Sequence, residues 1–137
     1  MKPVRAVVTI VCWGMSDMTC VLVVDDNAMN LELVTDVLEL EGFEVVSAAT
    51  GEEGVELVRQ KPPDLVLMDL RMPGISGLEA LEIIRADGFT TLPVVVLTAS
   101  VMKGERERLL ELGFDGFMQK PIDPGTFAQE VASFIKG

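Results

Sequence analysis

The sequence predicts a three-layer α/β domain, a parallel sheet covered by helices on both faces. Three observations carry that expectation. The apolar, largely β-branched runs Cys20–Val24, Leu65–Met68 and Val94–Leu97 have the composition of strands buried on both sides. Strand-like and helical stretches alternate five times, which implies right-handed crossovers and a layered architecture. Polar residues also stand directly behind the runs: Asp25 and Asp26, then Asp69, then Thr98, then Lys120 after Phe117-Met118-Gln119. Ligands of open α/β sheets bind at the carboxyl ends of the strands. Three carboxylates, a hydroxyl and an ammonium are therefore expected at one sheet edge, a combination suited to a divalent cation and a phosphoryl group.

The elements follow in order. After the strand Cys20–Val24, Asn27 is a natural cap for a helix from about Ala28 to Glu41, and Gly42 a natural stop. Glu32, Asp36 and Glu39 share one flank of that helix, while Leu31, Leu33, Val34, Val37 and Leu38 cover the rest. A strand is expected over Glu44–Ala48, then a helix from Glu52 to about Gln60 that Pro62-Pro63 brings to an end. The strand Leu65–Met68 leads into the turn Met72-Pro73-Gly74 and a helix from about Gly77 to Ala86. The strand Val94–Leu97 precedes a charged helix over roughly Lys103 to Leu112. A short strand, Gly116–Gln119, and a helix from about Pro124 to Lys136 close the pattern.

Residues 1–17 stand outside this alternation, and the domain is expected to span 18–137. The apolar run from Ala6 to Trp13 is too short to cross a bilayer. Lys2 and Arg5 followed by apolar residues resemble the start of a signal peptide, yet no clear small-x-small cleavage site follows. A loosely ordered extension, or a start codon assigned upstream of Met18, is the expectation; an added edge strand over Val7–Val11 stays open as an alternative.

At 137 residues the chain is long enough to bury one full core. A hydrophobic content of 49% argues against disorder. The net charge of −11 and a pI of about 4.3 disfavour direct contact with nucleic acid or an anionic membrane. Cys12 and Cys20 lack metal-ligand spacing and read as reduced thiols of a cytoplasmic protein. The chain contains no histidine, which removes Ser-His and Cys-His catalysis and leaves any phosphohistidine to a partner.

Two unit charges about 4 Å apart repel by roughly 4 kcal/mol at an effective dielectric near 20, so Asp25, Asp26 and Asp69 need a cation to stay ionised together. A hard divalent ion with oxygen ligands, expected to be Mg²⁺, answers that need. A solvated acidic turn capping the first helix would explain Asp25 and Asp26 alone, but not Asp69 at the equivalent end of a central strand. A carboxylate can attack phosphorus to form an acyl phosphate, and Asp69 is the candidate nucleophile because it is single, central and followed by a turn that leaves the site open. Lys120 would set a positive charge on the phosphoryl oxygens and Thr98 would donate a hydroxyl to one of them. Taken singly, Thr98 is an ordinary strand terminus and Lys120 an ordinary surface lysine; their convergence is what points to a site.

The segments VLVVDDN at 21–27, LVLMDLRMPGISG at 65–77, VVVLTAS at 94–100 and MQKP at 118–121 resemble the receiver domain of bacterial two-component response regulators, in that family's order and spacing. The resemblance implies a flavodoxin-like five-stranded parallel sheet of order 2-1-3-4-5 flanked by five helices. It also implies that Asp69 takes a phosphoryl group from a sensor histidine kinase or a histidine phosphotransfer protein. Asp25, Asp26, Asp69 and the backbone carbonyl of Arg71 would hold Mg²⁺, and a cis Lys120-Pro121 bond would aim the ammonium. Thr98 and Phe117 fall at the family's switch positions, Phe117 being otherwise a simple core residue. Arg71 and Ser100 fall where phosphoryl lifetime is tuned. The last two helices and the strand between them would be the surface read by a downstream target. The stretch Val101–Arg106 looks more like stand-alone regulators and hybrid-kinase receivers than like DNA-binding regulators. With no output domain expected after the last helix, action would be through docking.

Other classes fit less well. A haloacid-dehalogenase-type phosphatase needs a second aspartate two residues beyond the nucleophile, where this chain has Arg71. A dinucleotide or flavin site wants a glycine-rich first loop, and Asp25-Asp26 would repel a pyrophosphate. The remaining rival is a receiver-like interaction module that acts without phosphorylation.

Overall fold

The computed structural model describes residues 19–70, 72, 74–98, 104–120 and 122–135, apart from the side chains of Glu105 and Arg106. The expected extension over 1–17, Arg71, Pro73, residues 99–103 with Ser100, Pro121 and the final Lys136-Gly137 lie outside the described residues.

Five strands and five helices alternate: β1 (Cys20–Val24), α1 (Ala28–Leu40), β2 (Glu44–Ala48), α2 (Gly51–Gln60), β3 (Leu65–Asp69), α3 (Gly77–Ala86), β4 (Val94–Thr98), α4 (Glu105–Glu111), β5 (Gly116–Gln119) and α5 (Phe127–Ile135). All strand pairings are parallel and the sheet order is β2-β1-β3-β4-β5. Every residue of β1, β3 and β4 is buried: the apolar runs as central strands require, and Asp69 and Thr98 with them at the ends of β3 and β4.

Alternate side chains of the central strands feed two cores. Val21, Val23, Leu65, Leu67, Val95 and Leu97 pack with residues of α1 and α5, such as Leu38 and Phe127. Leu22, Val24, Val66, Met68, Val94 and Val96 pack with residues of α2, α3 and α4, such as Val55, Ile84 and Leu109. The period of two along a strand thus sorts the helices between the faces.

The caps are local. Asn27 Oδ1 accepts from Asn30 N at 3.0 Å, and Gly42, with φ at 94°, turns the chain away after α1. Helix α2 starts one residue earlier than expected because Thr50 Oγ1 accepts from Glu53 N at 3.1 Å. Ser76 and Glu79 form a reciprocal capping box at α3. The last helix starts at Phe127, not at Pro124: the Asp123 carboxylate accepts from Gly125 N at 2.9 Å and its carbonyl accepts from Thr126 N at 3.1 Å, so the intervening residues form a turn. Cys20 is a buried free thiol, and burial, with Glu44 beside it, pushes its pKa up and away from reactivity. Among the described residues no helix is long and apolar enough to cross a membrane.

Candidate functional site

Asp25, Asp69, Thr98 and Lys120 stand where the parallel ladders give out. Asp25 N donates to Ala48 O at 3.0 Å, one step past the β1–β2 pairing. The register Val24↔Met68 sets Asp25 level with Asp69 on the neighbouring strand. Asp69 pairs with Leu97, which brings Thr98 one step beyond, and Thr98 pairs with Gln119, which brings Lys120 one step beyond again. Lys120 N donates to Thr98 O at 2.8 Å, so the ends of β4 and β5 are tied directly.

The side chains converge accordingly. Carboxylate oxygens of Asp25, Asp26 and Asp69 all lie within 4.8 Å of one another. Lys120 Nζ is 3.1 Å from Asp25 Oδ2 and 3.5 Å from Asp69 Oδ1. Asp25 is wholly buried, Asp69 and Thr98 are buried at the rim of the sheet, and Asp26 is exposed. A wholly buried carboxylate requires donors, and Asp25 has them: Asn27 N at 2.9 Å on Oδ1, and the Asn30 side-chain amide together with Lys120 on Oδ2. The pocket therefore combines negative charge, one shared cation and an open side at Asp26. Hard oxygen donors grouped in this way fit Mg²⁺, which keeps several waters and takes one or two carboxylates.

Phe117, on β5, is half-buried and packs against the core under α2, α3 and α4. Arg71 and Ser100 lie outside the described residues, as does Pro121, whose cis bond was expected. Asn30 was missed by sequence reasoning. Its signal was available, since it lies one helical turn after Asn27 and so faces back toward the aspartate pair. Asparagine in a first helical turn is nonetheless ordinary enough to pass unremarked.

A doubly wound sheet that gathers three aspartates, a threonine and a lysine at its carboxyl edge defines the receiver class of two-component signalling. The chain belongs to the response regulator receiver domain family, whose model matches residues 21–132. Among its relatives, the polar-differentiation response regulators DivK of Brucella ovis and Brucella melitensis are each 35% identical over 116 residues, covering 84% of this chain and 94% of theirs. Chemotaxis protein CheY4 of Vibrio cholerae superposes with a TM-score of 0.80 at 26% identity, covering 85% of this chain and 98% of that one. The receiver domain of sensor histidine kinase PA1611 of Pseudomonas aeruginosa, solved with a magnesium ion coordinated in its active-site cleft, gives 0.77 at 29% identity, covering 85% and 97%. A chain of the CheX-CheY-BeF3-Mg complex from Borrelia burgdorferi gives 0.79 at 28%, covering 87% and 90%. Receiver domains are signalling switches, generally not classed as enzymes, that meet kinases and downstream targets and bind Mg²⁺ at an acidic pocket.

Proposed function

We propose that this chain is a phosphoacceptor switch in which Asp69 takes a phosphoryl group from the phosphohistidine of a sensor kinase or histidine phosphotransfer protein. The observation that carries the reading is the shared ammonium: Lys120 bridges Asp25 and Asp69 at 3.1 and 3.5 Å within a cluster of three carboxylates. Such a cluster has little use as a structural core, where an apolar replacement would usually be as stable.

Asp25, Asp26, Asp69 and the backbone carbonyl of Arg71 would hold Mg²⁺, which supplies charge neutralisation for the transferring group. An Asp69 carboxylate oxygen attacks the phosphorus, and the bond from phosphorus to the donor imidazole nitrogen breaks as the acyl phosphate forms. Lys120 then turns its charge to a phosphoryl oxygen, and the Thr98 hydroxyl donates to another. Phe117 lies on the next strand, paired with Val96, and is the route by which that movement reaches the surface of α4, β5 and α5, where a target docks. Arg71 and Ser100 tune hydrolysis. The switch unit is residues 18–137, residues 1–17 being an extension of it, and it works in the cytoplasm without contacting nucleic acid or membrane directly.

Incubation with acetyl phosphate and Mg²⁺, followed by intact-mass measurement, tests the reading. One phosphoryl group is expected on the wild-type chain and none on Asp69→Asn. Equal mass gain on both would remove Asp69 from its role, and no gain on either would favour an interaction module that acts unphosphorylated.

A further inference from the structure

The Asp25 carboxylate takes donors from the start of α1, the Asn27 N–H and the Asn30 side-chain amide. It is wholly buried, and its Oδ2 receives both the Lys120 ammonium and the Asn30 amide. Lys120 is shared with Asp69, so its hold on Asp25 is divided. Asn30 is neutral and is anchored in the first turn of α1 by its own N–H, which donates to Asn27 Oδ1 at 3.0 Å. A buried carboxylate that gives up one donor needs another to remain in place.

We propose that Asn30 is a positioning residue of the metal site: its side-chain amide holds the Asp25 carboxylate oriented toward the cation and keeps it satisfied when Lys120 turns to the phosphoryl group. The inference rests on the reading of this pocket as a Mg²⁺ site. Partners that orient a metal-ligating group typically affect affinity by about 10–100-fold when removed. The Asn30 side-chain amide donates to Asp25, a proposed ligand of the ion, so its effect is expected on binding of the ion as well as on phosphorylation.

Isothermal titration of the metal-free chain with MgCl2 reads this directly. Asn30→Ala is expected to raise the Kd by about 10–100-fold. Its unfolding temperature without Mg²⁺ should move little, because alanine favours the helix that asparagine only tolerates. Asn30→Gln, which keeps the amide on a longer arm, is expected to recover part of the affinity. A wild-type Kd in Asn30→Ala would overturn the inference and leave the metal site standing. A lowered unfolding temperature in both variants, with no recovery by glutamine, would also overturn it by reducing Asn30 to a structural role. Failure of the wild-type chain to bind Mg²⁺ would remove the metal site itself, and the inference with it.

Discussion

Lys120 occupies an unusual electrostatic position, one ammonium between a wholly buried carboxylate and a second at the sheet rim. Removing it leaves Asp25 and Asp69 without their common counter-charge, and removes the point charge that would meet a phosphoryl oxygen. Lys120→Ala is therefore expected to take up phosphoryl from acetyl phosphate more slowly, by on the order of 10²-fold, as when one preorganised donor is removed. It is also expected to lose the conformational response, since no group then draws β5 toward the modified Asp69. Backbone amide spectra recorded before and after phosphorylation check this. A full set of shifts around Phe117 in the variant would show that the response does not pass through the lysine.

At the scale of elements, the loop after β3 is constrained by how closely α3 approaches the strand end. Gly77 N donates to Leu70 O at 3.0 Å, and a Cβ at Gly77 would fall 2.5 Å from the backbone oxygen of Asp69 and 3.0 Å from Leu70 Cα. These neighbours are main chain, not the end of a flexible side chain, so they move only if the strand terminus moves. Gly77→Ala is expected to cost about 1–3 kcal/mol by overpacking. It should also slow phosphorylation of Asp69, because the strain falls on the peptide that carries it. The urea midpoint and the acetyl phosphate labelling rate measure the two effects. Wild-type values for both would mean that α3 can shift without cost. The capping box of Ser76 and Glu79, which brackets this glycine, makes such a shift unfavourable, since it fixes where the helix begins.

At the scale of the whole molecule, the chain carries a net charge of −11 and sets three carboxylates side by side. The arrangement exists only when β1 and β3 are paired, so a divalent cation held there would bind the folded state and stabilise it by mass action. At a Mg²⁺ concentration about 100 times the Kd, that stabilisation is about 2.7 kcal/mol. For a domain of this size the expected rise in Tm is several degrees. It should vanish on adding EDTA and should not be reproduced by NaCl at the same ionic strength. An equal rise with NaCl would assign the effect to general screening of an acidic surface.

Much of this molecule was legible in the residues themselves. The run Cys20–Val24, the alternation around Val45 and the caps at Asn27 and Gly42 are local patterns, and local backbone chemistry decides them. Asp69 and Thr98 were expected just past their strands and instead form the last residues of β3 and β4, because pairing with Leu97 and Gln119 continues one step further. The turn before α5 was misplaced for a similar reason, since a side-chain bond from Gly125 N to Asp123 competes with helix initiation at Pro124.

The sequence by itself determined the strands, the helices and the chemical inventory at the strand ends, because periodicity and capping act over a few residues. Only the tertiary structure decided that Val24 lies level with Met68, so that Asp25 faces Asp69, and that Asn30 turns its amide onto the same carboxylate. Central strands that are apolar on both faces carry no in-and-out alternation to fix their register, so packing between distant segments sets it.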